Sequence, residues 1–120
     1  MAPREKERLD VSEEIVTLRN RYWFPLVLIA ECVGAKASAV GRWQGGRVLL
    51  PDSAPKAIGC KIQQLLQIAE LLETEGSVPA RFVALQLQVI RVERVHITDL
   101  LPDDFPLALQ RVRQYCQKNS

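Results

Sequence analysis

The chain has 120 residues, 48% apolar and 25% charged, with a formal net charge of +2 at neutral pH. That is enough for one domain, or a small domain with an extension, of ordinary soluble composition, and the total charge is too small to argue for a nucleic-acid partner unless its distribution does. Three cysteines, Cys32, Cys60 and Cys116, lie far apart among apolar residues with no C-x-x-C, and His96 is the only histidine; this excludes an ordinary zinc site and points to three reduced, buried cysteines in a cytosolic protein.

The opening "MAPREKERLD" is charged and has no apolar core, unlike a signal peptide. "VSEEIVTLRNRYW" reads as a helix: Ile15, Leu18 and Tyr22 share a face, Ser12 is a good N-cap, and Glu13, Glu14, Arg19 and Arg21 suit the helix dipole. The longest apolar run, "YWFPLVLIA", is far shorter than a membrane span. Within it Pro25 opens a second short helix with Ile29, Ala30 and Val33 on its inner face, and Gly34 can end it in a left-handed conformation. A third helix is expected from about Ala37 to Gln44, with Val40 and Trp43 inward and Gly45 and Gly46 as its stop. Trp23 and Trp43 read as core residues rather than stacking platforms.

A long helix follows, capped by Asp52 or Ser53, with Pro55 in its first turn. Ile58, Ile62, Leu65, Ala69 and Leu72 recur at helical spacing, and Leu66, Ile68 and Leu71 widen the stripe, which calls for more than one partner surface, among them a second copy of the chain. "RFVALQLQVIRVERVHIT" alternates at Leu85, Leu87 and Val89 and is rich in β-branched residues, which favours a strand over about residues 86 to 97, although Phe82, Leu85, Val89 and Val92 also fit a helix. A lone strand needs a mate, and its copy across a dimer two-fold would supply one. A last helix is capped at Asp103, with Phe105, Leu109, Val112 and Cys116 as its stripe. The phrase L-L-P-D-x-x-P at Leu49 and Leu100 marks two helix starts sharing one capping chemistry.

"IAECVGAKASAVGRWQGG" brings these signals together. Ala30 is small where a second helix would cross the first, Gly34 tolerates left-handed geometry four residues on, and Ile29, Val33, Val40 and Trp43 supply the apolar positions of a helix-turn-helix. At these residues the chain resembles the lambda Cro and repressor type, or XRE-like, helix-turn-helix family over about Val11 to Pro51, including "EEIVTLRNR" and "GRWQGGRVLLP". The resemblance implies a compact bundle of about five helices, usually dimeric, whose third helix enters the major groove. By position it places Lys36, Ala37, Ser38, Gly41 and Arg42 at the groove-facing surface and Arg47 near the phosphates. It departs at Leu26, where the family often has a Gln that anchors a backbone contact, and near Ala35, where no Ser or Thr caps the third helix. "VPARFVALQLQVI" and "VHITDLLPDDF" add a fainter likeness to YdaS-like Cro proteins, which hints at phage or plasmid ancestry.

Charge distribution agrees. Between Ile15 and Pro51 the only acid is Glu31, while Arg19, Arg21, Lys36, Arg42 and Arg47 fall in the same span; the rest of the chain holds 11 basic and 13 acidic residues. A basic face on the motif is the footprint of phosphate binding. The reading is therefore a mainly α protein: a five-helix-type helix-turn-helix bundle at residues 1–57 and a C-terminal dimerisation extension at 58–120 with room for one strand. Its expected function is a cytoplasmic, homodimeric, sequence-specific regulator of transcription that binds double-stranded DNA, most simply a phage- or plasmid-type repressor, with no enzyme activity, cofactor, metal or membrane. Two rivals stand beside it: an antitoxin-like protein whose C-terminal half grips a toxin, and a protein-interaction module.

Overall fold

The computed structural model describes residues 11–45 and 55–119. In chain order they form α1 (Ser12–Asn20), α2 (Leu26–Val33), α3 (Ala37–Gln44), α4 (Pro55–Thr74), α5 (Val83–Val89), a hairpin of β1 (Arg91–Val92) and β2 (Val95–His96), and α6 (Phe105–Asn119). Short 3-10 turns at Ala80–Phe82 and Ile97–Leu100 lead into α5 and out of the hairpin. The architecture is mainly α, as the periodicity predicts.

The long helix α4 organises the rest. Ile62, Leu65, Ile68, Ala69, Leu71 and Leu72 are all buried on it. They spread around the helix because α1 and α2 pack on one part of its surface and α5 and α6 on another. The over-wide apolar stripe is thus covered within one chain, by partners it already has. One continuous core runs from Val11 to Cys116. The residue 57/58 boundary falls inside α4. The caps expected at Asp52 or Ser53, and the first L-L-P-D phrase, lie outside the described residues.

Ser12 is not the cap of α1. It is the first helical residue, Val11 holds the cap position without a side-chain bond, and the Ser12 hydroxyl donates instead to the Gln44 carbonyl at 2.6 Å. At α6 the last residue before the helix is Asp104, whose carbonyl accepts from the Ala108 amide at 3.1 Å, so Asp104 rather than Asp103 takes the cap position. Inside α6, Ala108, Val112 and Cys116 are buried, while Phe105 and Leu109 pack half-buried against the core. Gly76 follows α4 where α6 comes close: a Cβ there would lie 2.7 Å from the Leu72 carbonyl oxygen and 2.9 Å from the Cys116 sulfur.

Residues 86 to 97 are not one strand. Val83, Ala84 and Leu87 are buried at helical spacing and Ile90 closes the same core, so the segment begins as α5. The residues that follow do pair, but only two on each side, with Arg91 opposite His96 and Val92 opposite Val95. Glu93 makes the turn with φ +59°. The mate is therefore Val95–His96 of the same chain, across the Glu93–Arg94 turn, and not a second copy. The Arg111 Nε donates to the Arg91 carbonyl at 2.9 Å, and the Tyr115 hydroxyl donates to Gln86, which ties α6 to the hairpin and to α5. On the far side of α5, Phe82, Leu85 and Val89 are left exposed.

Candidate nucleic-acid interface

The corner between α2 and α3 is made by Gly34. Its φ of +74° and ψ of +36° are left-handed, and its amide donates back to the Ala30 carbonyl. The Ala35 amide also reaches the Ala30 carbonyl, at 2.9 Å. An L side chain at this φ is strained even where space is free, which is why glycine belongs here. Two closely spaced helices then bury Ile29, Ala30, Cys32 and Val33 from α2 and Val40 and Trp43 from α3. Trp43 is 7% exposed.

With Val40 and Trp43 turned inward, the opposite side of α3 presents Ser38 and Arg42, one turn apart, with Lys36 at the helix entrance. All three are exposed, and none of their side chains makes a hydrogen bond or ion pair among the described residues. No side chain caps α3 and its first turn holds no acid, so its positive end is left open to an anion. Ala37 is half-buried beside this face. Gly41 is half-buried as well, and a Cβ on it would make ordinary contact with Leu26 at 3.7 Å, so it lies toward the start of α2. Arg47 lies outside the described residues.

The far end of α3 is clamped to α1. Besides the Ser12 bond, the Arg19 guanidinium donates to the Gln44 side chain at 3.0 Å, while its buried Nε finds no acceptor. Two of the five cations in the basic span therefore have structural work. Arg19 holds Gln44, and Arg21 pairs with Glu73 at the end of α4 at 2.8 Å. Glu73 also accepts from the Tyr22 hydroxyl at 2.9 Å. The Arg21 and Tyr22 hydrogen bonds hold the Glu73 carboxyl below its usual range. Among the described residues, the exposed and unpaired cations of the span are thus Lys36 and Arg42.

Trp23 is the residue that sequence reasoning misplaces. It is 64% exposed, with φ +61°, next to Arg19, Asn20 and Pro25 before α2. Tyr22 and Phe24 on either side of it are buried, and its own left-handed backbone, uncommon for a residue other than glycine, leaves the indole outside. Cys60 departs as well. All three cysteines are free, but only Cys32 and Cys116 are buried, and Cys60 is exposed. Burial pushes the Cys32 thiol up to about 11, against a hydrogen bond with Thr98 that lowers it. It is not a nucleophile at neutral pH.

Among the described residues no three His, Cys, Asp or Glu side chains stand together to hold a metal ion, and no helix is long and apolar enough to cross a membrane. Set against known proteins, the chain matches no family model, no curated protein and no solved structure.

Proposed function

We propose that the chain is a sequence-specific double-stranded DNA-binding regulator of transcription, a repressor of phage or plasmid type, working in the cytoplasm as a homodimer. The observation that carries this reading is the make-up of α3: an inner face of Val40 and Trp43 fixed by a left-handed Gly34 corner, and an outer face of Ser38 and Arg42 with Lys36 at its open positive end. A short helix held rigidly from behind, with polar and cationic groups outward, suits insertion into the major groove. The resemblance of Val11 to Pro51 to the Cro and repressor type supports the same assignment. In this reading Arg42, Lys36 and Ser38 meet base edges, Ala37 and Gly41 line the approach, and Arg47 meets a phosphate. Residues 1–57 read DNA and residues 58–120 support them and join the copies.

The dimer contact proposed here is α5, since the α4 stripe and the hairpin are satisfied within one chain. Leu85 and Val89 form an apolar line on the outer side of that helix, extended at its start by Phe82, over whose ring the Arg81 guanidinium sits at 5.0 Å. The same line favours one second reading, the antitoxin-like protein, in which a toxin covers it. The two separate in solution: the regulator is a dimer alone and binds its site without a partner.

The test is selection of bound duplexes from a random pool by the full chain, followed by affinity at a series of salt concentrations. The expected result is an enriched sequence of two related half-sites and an affinity that falls as salt rises. No enrichment, or binding indifferent to salt, would overturn the reading.

A further inference from the structure

Trp23 costs the fold twice. It sits in the link between α1 and α2, where the Phe24 amide donates back to the Leu18 carbonyl at 3.0 Å, and its φ of +61° is left-handed. Such a place at the end of a helix ordinarily goes to glycine, because a side chain is strained there. A bulky residue at positive φ is rarer still. Nor does the strain bring burial: the indole is 64% exposed, and Val27, four residues on, is 61% exposed. Neither local geometry nor packing accounts for a tryptophan at this position. Side chains that break a local rule without a gain to the core gather at sites of contact.

The surroundings define what it meets. Arg19, Asn20, Trp23, Phe24 and Pro25 line a shallow recess of about 400 Å³. The Arg19 guanidinium gives one bond to Gln44 and has no acid beside it in the recess. Among the described residues before α4, the acids are Glu13 and Glu14 in the first turn of α1 and Glu31 in the last turn of α2, at the ends of those helices far from the link. Glu73 is taken up by Arg21 and Tyr22. An indole N–H and a guanidinium donate and do not accept. The recess therefore suits a partner that is anionic and rich in acceptors, yet offers apolar surface to the indole face. A sugar–phosphate backbone has both properties, and an apolar protein surface has only the second. The link reaches α3 as well, because Leu26, directly after Pro25, is the residue that a Cβ on Gly41 would touch, at 3.7 Å.

We propose that Trp23 is a DNA-backbone contact: its indole lies against a deoxyribose, with its N–H and the Arg19 guanidinium toward the adjoining phosphate, beside the groove that α3 enters. This rests on the DNA-binding reading and adds to it a residue from outside the basic face. Such a contact fixes the register of α3 without reading bases. Being uncharged, Trp23 adds affinity and no counterion release.

The experiment uses the full chain, the selected duplex and a scrambled one, with acrylamide as a neutral quencher of indole fluorescence. Trp43 is 7% exposed, so the quenchable emission belongs to Trp23. That emission should become shielded when either duplex binds, and should stay open without DNA as the protein concentration rises. Trp23→Gly should weaken both duplexes alike by about tenfold, the equivalent of one good contact, and leave the preferred sequence unchanged. Its salt slope should equal the parent's, unlike that of a lost phosphate-binding cation. Its denaturation midpoint should match or exceed the parent's, since glycine relieves the left-handed strain. Failure of the parent to bind any duplex would overturn the DNA reading and this contact with it. With the parent binding, an indole still open to acrylamide, full affinity in Trp23→Gly, or a lower midpoint for that variant would overturn this contact alone. Shielding that grows with protein concentration in the absence of DNA would also overturn it, by assigning Trp23 to a protein surface.

Discussion

The helices α3 and α5 are of nearly equal length, and each buries one side against the same continuous core. They differ in what they leave outside. The outer side of α3 carries Ser38 and Arg42, and that of α5 carries Leu85 and Val89, with Phe82 just before it. Water accepts the first surface at no cost and resists the second, since each of these partly exposed apolar side chains forgoes a share of the roughly 1.5 to 3 kcal/mol that full burial is worth. The lesson is that the inner faces explain why both helices form, whereas the outer faces explain what each meets. A polar and cationic line suits a charged, hydrated partner such as a DNA groove. An apolar line suits another protein surface.

The hardest way to break the comparison is from inside. Trp43 holds α3 in place, and Trp43→Ala in a packed core is expected to cost about 3 to 5 kcal/mol, visible as a large drop in denaturation midpoint and a loss of DNA binding with it. An unchanged midpoint would mean that α3 is not held by its inner face. The outer side of α5 should behave oppositely. Leu85→Asp together with Val89→Asp is expected to leave the monomer within about 0.5 kcal/mol of the parent for each surface change, yet to convert a sedimenting dimer to monomer. If the parent chain is monomeric at tens of micromolar, the proposed use of α5 fails.

Gly41 sharpens the contrast from the side of α3. Nothing obstructs a Cβ there, so Gly41→Ala should stabilise the helix by up to about 1 kcal/mol. A gain in stability joined to a loss of DNA affinity would show that the bare backbone approaches the DNA. A gain without such a loss would make Gly41 a seam residue only. The smallest effect concerns the link between α1 and α4. The folded carboxyl of Glu73 titrates lower than in the unfolded chain, so its contribution is present above the ordinary glutamate range and is lost as pH falls through that range and the lower folded value. Acid titration of Glu73→Gln beside the parent should therefore show the two stabilities converging in acid and diverging toward neutral pH.

How much of this was legible from residues alone follows from how local each signal is. Gly34, Ala30 and the apolar positions of α2 and α3 act within a few residues of one another, so their order in the chain suffices to place the corner. The strand expected over residues 86 to 97 gives way for a physical reason. A helix with leucine and valine on its solvent side no longer looks amphipathic, and Leu85, Leu87 and Val89 alternate like a strand. Only packing against α4 decides that Leu87 goes in and its neighbours stay out. Arg21 looked like part of a DNA face because its partner, Glu73, is distant in sequence.

The central claim is that the outer side of α3 reads base edges. The direct measurement compares Arg42→Ala with Arg47→Ala, each against the selected duplex and a scrambled one at two salt concentrations. Arg42→Ala is expected to lose about 1 to 3 kcal/mol of discrimination at one position of each half-site while keeping its non-specific binding. Arg47→Ala is expected to weaken both duplexes alike and to reduce the salt slope by about one. If Arg42→Ala instead lowers specific and non-specific binding in equal proportion, Arg42 holds only the backbone, and α3 does not read the sequence through it.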